Sequence, residues 1–113
     1  MQPDWQRSLT RRLRRWASEK FPCPFPVRVY LRPRSHMQDM QGYWRWSDEA
    51  EGGSIALADD LTKQELIDTF LEEWAHARTA YLETFDDDTE DPHHHSTFWS
   101  ELGRITMRFR ADW

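Results

Sequence analysis

The stretch from Thr62 to Tyr81, TKQELIDTFLEEWAHARTAY, limits what this chain can fold into more than any other part of it. Thr62 and Glu65 have the spacing of a capping box, in which each side chain satisfies the other residue's backbone N–H, so a helix is predicted to begin there. Leu66, Phe70, Trp74 and Tyr81 recur at near-helical intervals, and Ile67, Leu71, Ala75 and Leu82 widen the apolar face. Thr69, Glu72, Glu73, His76 and Thr79 fall away from the centre of that stripe. A helix of this kind needs other apolar surfaces to pack against, and the rest of the chain must supply them.

The chain has 113 residues, enough for one core. Its hydrophobic fraction is 38%, but seven Trp, six Phe and three Tyr supply much apolar area per residue. Residues 3–20 read as a first helix with Trp5, Leu9, Leu13 and Trp16 on one stripe. The FPCPFP run, Phe21–Pro26, forbids regular helix and reads as an extended connector. Val27–Leu31, Gly42–Trp46 and Ser54–Leu57 read as short strands, with a turn at Ser47–Gly53. Their connections are too short for intervening helices, which predicts a mainly antiparallel sheet. Beyond the central helix, five acids lie between Asp86 and Asp91, the composition of an exposed loop. After Pro92 a last helix is predicted, with Phe98, Leu102, Ile105 and Phe109 on its apolar face and Gly103 permitting close packing. The reading is a single α+β domain over residues 1–113, with about three strands and three main helices.

Composition narrows the function classes. The formal net charge of -5 argues against a general nucleic-acid binder. Arg7, Arg11, Arg12, Arg14 and Arg15 nevertheless cluster on the first helix, either as its solvated face or as a patch for nucleic acid or an acidic partner. No run is long enough for a membrane helix and no leader pattern opens the chain, so the expected setting is cytoplasmic. Cys23 is the only cysteine, which excludes an intrachain disulfide and leaves no thiolate metal site. Nothing around it favours its thiolate.

The one pattern with chemistry in it is Glu72-Glu73-Trp74-Ala75-His76, an E-E-x-x-H one residue removed from H-E-x-x-H. In the parent motif two histidines four apart face one zinc, and the glutamate between them serves as base. Glu72 can also ligate zinc. A carboxylate there makes the ligand set more negative and weakens its pull on water. His93, His94 and His95 follow the acidic loop and are the nearest source of another ligand. The bland alternative is an acidic, solvated helix face with one structural histidine.

LIDTFLEEWAHA, Leu66–Ala77, resembles the core helix of small SprT-like zinc metallopeptidases. A second resemblance is a histidine four residues before an aromatic, here His94 and Phe98, opening a helix that reads SELGRI from Ser100 to Ile105. The order of elements is similar as well, so the likeness spans most of the chain, and it is nearest to short phage-type members, which implies a host cytoplasm. The resemblance implies a minimal zincin-like fold, zinc held by Glu72, His76 and His94, with His95 as substitute, and Glu73 as catalytic base. It implies metal-assisted hydrolysis of a protein or extended peptide that adds to an edge strand at Ser54–Leu57. Tyr43, Tyr81 or an arginine would be left to stabilise the oxyanion. Glu72 stands where the family has its first histidine. The alternative is a catalytically inactive homologue that binds peptide, or binds nucleic acid through the arginines of the first helix.

Overall fold

The computed structural model describes residues 4–85 and 96–113. Its elements run in the predicted order: helix α1 (Asp4–Lys20), strand β1 (Val27–Arg32), a single 3-10 turn (Arg34–His36), strands β2 (Gly42–Ser47) and β3 (Gly52–Ala58), and helices α2 (Lys63–Phe85) and α3 (Ser96–Asp112). The α+β class, with three helices and a three-stranded sheet, is as the sequence implies.

The sheet differs in two respects. It is mixed: β3 pairs with β2 antiparallel and with β1 parallel, in the order β1-β3-β2. And β3 is the central strand, so the edge expected at Ser54–Leu57 does not exist there. The physical reason lies in composition. GGSIALA carries no charge and is buried along nearly its whole length, as a strand flanked on both sides must be. Arg28, Arg32 and Arg45 sit on β1 and β2, where an edge tolerates charge. The chain between β1 and β3 crosses to the far edge, returns as β2, and leaves a slot that β3 fills. No crossover helix is needed.

Gly52 and Gly53 belong to β3 rather than to the turn, which is made by residues 48–51 with Glu51 at φ 51. Gly53 is required by packing: a Cβ there would stand 1.9 Å from Cη2 of the Trp44 ring, which lies across it. Phe25 closes on the same group, 5.8 Å from Trp44 and edge-on to Trp46 at 5.0 Å.

One face of the sheet packs against the helices. Val27, Ile55 and Leu57 are buried there with Leu9, Leu13 and Ala17 of α1 and Leu66, Phe70 and Trp74 of α2 in one core. Leu9, Leu13 and Trp16 face inward as the spacing requires, but Trp5 is 44% exposed and Gln6 is buried in its place. Gln6 Nε2 donates to the carbonyl of Asp59 at 2.7 Å, tying the start of α1 to the segment that leads into α2. At the other end of α1 the Trp16 indole donates to Asp112 of α3 at 2.9 Å, and its ring meets Phe109 edge-on.

Thr62 and Glu65 form the capping box: the Thr62 N–H donates to Glu65 Oε1 at 2.9 Å and the Glu65 N–H to Thr62 Oγ1 at 3.2 Å. Beyond it, α2 is buried on more than its apolar stripe. Thr69, Glu73, His76 and Thr79 are all buried, because β2 and α3 approach the side that the sequence pattern leaves polar. Gly103 has no role in that approach, since a Cβ at this position would meet nothing within 4 Å.

Candidate functional site

Glu73 and His76 are three residues apart on α2 and therefore share a side of the helix. Both are nearly enclosed, at 9% and 8% exposure. Thr69, one turn earlier on that side, donates from Oγ1 to Gln41 at 3.1 Å, and its methyl lies where a Cβ on Gly42 would fall. The polar side of α2 thus starts against the beginning of β2, and glycine at position 42 allows the close approach. Glu72 is half-buried on the neighbouring side.

α3 covers His76. The ring of Phe98, itself fully buried, lies almost parallel to the imidazole with centroids 4.2 Å apart and 21° between planes. Trp99 stands edge-on to Phe98 at 5.1 Å and is 56% exposed, marking where this packing meets solvent.

Two residues that the sequence reading passed over hold α3 in this position. Arg78, two residues after His76, pairs through Nε with Glu101 of α3 and donates through Nη1 to the carbonyl of Pro22 at 2.8 Å. Its guanidinium also lies over the Phe21 ring at 5.4 Å. Glu101, buried, takes a second ion pair from Arg104 at 3.0 Å. A single cation therefore joins α2, α3 and the proline-rich connector. The signal in the sequence is an arginine late in a helix whose other charges before it are mostly acidic. Periodicity alone does not reveal its partners.

Cys23 lies beside this cluster. Burial pushes its thiol up to about 11, opposed by the nearby Arg78 and reinforced by Glu101. It is a packed thiol and not an activated one, as its surroundings in the sequence imply.

The predicted ligands divide. Glu72, Glu73 and His76 lie on α2 at the spacing of the motif. His94 and His95 lie outside the described residues. Among the described residues no three His, Cys, Asp or Glu side chains come together as a metal-holding group. Tyr43 does not belong to this site: Gly42 faces α2, so Tyr43, the next residue of an extended strand, points to the opposite face of the sheet. The side chain of Tyr81 is outside the described set. Arg7, Arg11, Arg12, Arg14 and Arg15 are all exposed on α1. Among the described residues no helix is long and apolar enough to cross a membrane.

No family model, no curated protein and no solved structure matches the chain.

Proposed function

We propose that this chain is a zinc-dependent metallopeptidase-like protein with a variant EExxH centre on the Glu73 and His76 side of α2. One observation carries the reading: the imidazole of His76 is enclosed against Phe98, the residue four positions after His94. The element that follows the second predicted ligand is therefore packed on the first. The donors suit the metal, since imidazole nitrogen and carboxylate oxygen are both zinc ligands. Glu72 and His76 would hold the ion together with His94, or with His95 in its place. Bound zinc would supply a Lewis acid for water and for a peptide carbonyl. Glu73 would accept a proton from the attacking water and return it to the leaving amine. An extended peptide would align along β2, the edge strand beside α2, through its outward backbone groups. A reducing cytoplasm suits a chain with one packed cysteine.

A second reading draws on a different feature of the same contact. An imidazole lying flat on a buried phenyl ring is also how a core histidine packs, and Glu72 stands where the resemblance calls for histidine. On that reading the scaffold is catalytically inactive and binds peptide, or binds nucleic acid through the arginines of α1.

Zinc content separates the two. Protein purified without a histidine tag or chelator is assayed for bound metal beside Glu72→His and His76→Ala. The first reading expects roughly one zinc per chain, lost in His76→Ala. A metal-free natural protein that gains zinc in Glu72→His supports the second. Metal in none of the three would show that His94 and His95 do not serve α2, and would end the zinc proposal.

A further inference from the structure

The face of the sheet turned away from the helices has an organisation of its own. Strand pairing sets its side chains in rows across the three strands: Arg28, Ser54 and Arg45 in one, Tyr30, Ala56 and Tyr43 in the next, with Arg32 beside Ala58 beyond. Rows on one face are about 6.8 Å apart, and the two outer strands are about 9.6 Å apart. The central strand contributes only Ser54, Ala56 and Ala58, and the two alanines are fully buried, so the arginines and tyrosines of the outer strands supply the outer surface of this face.

These side chains are linked to one another. Arg32 donates to the Tyr43 hydroxyl. The neighbouring Tyr30 hydroxyl, and then Arg32 and Arg45, hold the Tyr43 hydroxyl below its ordinary pKa. The Arg45 guanidinium lies over the Tyr43 ring at 5.3 Å. Arg28 and Arg45 are exposed, and Arg32, Tyr30 and Tyr43 are half-buried.

Charge is segregated here against the trend of the chain. Asp and Glu total 20 against 15 Lys and Arg, yet none of the three strands contains a carboxylate. A solvated sheet face that served only solubility would mix both signs. Three arginines with planar aromatic groups between them are the chemistry that holds a chain of phosphates with unstacked bases.

The geometry points to a binding face for single-stranded nucleic acid formed by Arg28, Tyr30, Arg32, Tyr43 and Arg45. The three arginines contact phosphates, and the Tyr30 ring offers a flat surface to a base. The bases must be free of a duplex to reach them. Arg7 and Arg11 of α1 line a cavity together with Tyr30 and so border this face; the face is distinct from the α2 centre, and it stands whether or not zinc binds.

The test is fluorescence anisotropy with a labelled oligothymidylate of about 15 nucleotides, a length within known single-strand site sizes. Unlabelled duplex and polyglutamate serve as competitors. The expected result is binding at low salt whose logarithmic salt slope is about -2, from three phosphates neutralised on a single strand. Arg28→Ala with Arg45→Ala should flatten that slope by about 1.4. Both side chains are exposed, so an unchanged melting temperature shows that the fold is intact. Tyr30→Leu should weaken binding roughly 5- to 150-fold while Tyr30→Phe retains it, since stacking needs the ring and not the hydroxyl. Three results would overturn the assignment. One is absence of oligothymidylate binding. Another is equal competition by polyglutamate, which would make this a face for any polyanion. The third is loss on Arg11→Ala with Arg15→Ala while the sheet variants bind normally, which would move the site to α1.

Discussion

The imidazole of His76 and the phenyl ring of Phe98 lie 4.2 Å apart and within 21° of parallel, one from α2 and one from α3. This contact ties the last helix to the candidate centre. Phe98→Ala should cost about 3–5 kcal/mol in urea unfolding, as removal of a fully buried aromatic does. Phe98→Leu should cost much less and keep the fold, while abolishing the ring-current shift that Phe98 imposes on the His76 ring protons. An unshifted His76 in the natural protein would mean that α3 does not cover it in solution.

Glycine 103 lies within α3 at an exposed position with open space around it. Its φ is not positive, so alanine fits without strain. Gly103→Ala should therefore stabilise the protein by roughly 0.5–1 kcal/mol, through better helix propensity and a less free unfolded chain. Gly53→Ala is the contrasting case, since its methyl would enter the Trp44 ring. Equal melting temperatures for these two variants would contradict the packing described for β3.

The thiol of Cys23 sits at about 11 instead of the ordinary 9.0, chiefly through burial. At pH 7.5 the fraction present as thiolate is then roughly 100-fold below that of a free cysteine. Alkylation by a maleimide should be slow in the native protein, accelerate with each rise in pH toward 11, and become fast in denaturant. Rapid native labelling at neutral pH would show that the connector opens away from Arg78.

Asp112 accepts from the Trp16 indole and from Arg108, and these bonds hold its carboxyl below the ordinary 3.8. A carboxyl with a depressed folded pKa stabilises above its unfolded value, and that contribution is lost as the pH falls through the folded one. Loss of the stability contributed by the Trp16–Asp112 link should thus be absent from pH 7 down to about 4 and set in below it. Melting temperature against pH, compared with Asp112→Asn, isolates this carboxylate from Glu65 and Asp60, whose pKa values are depressed in the same direction. A variant with the same acid-side slope as the natural protein would remove Asp112 from the account.

Local signals were the legible ones. The capping box at Thr62 and Glu65 joins residues three apart and forms as its spacing implies, and the apolar intervals locate α1, α2 and α3 closely. Positions decided by distant partners were less legible. Trp5 continues the α1 stripe, yet Gln6 is buried because backbone carbonyls of Asp59 and Leu61 await its amide. Connection length suggested a mainly antiparallel sheet and the resemblance put an edge at Ser54–Leu57; strand charge was not weighed, although β3 is the one strand without an arginine. At the candidate site the motif gives the positions of Glu72, Glu73 and His76 along the helix. It does not give the burial of Glu73 and His76, which depends on α3, nor the Arg78 and Glu101 pair that holds α3 there. His94 and His95 fall outside the described residues, so the predicted zinc set rests on the sequence resemblance for those members.

The notch at Gly53 also fixes alignment. A strand in a three-stranded sheet can in principle slide past its neighbour, and a slip of two residues keeps every side chain on its own face. Here such a slip would carry the Trp44 indole off Gly53, the one position on that face of β3 without a side chain, and toward Ile55 in one direction or off the end of the strand in the other. The indole works as a key in a slot, and only one registration of β2 against β3 admits it. Arg45 is thereby held level with Arg28 on the opposite face, so a single missing methyl on the buried side sets the spacing of charges on the exposed side.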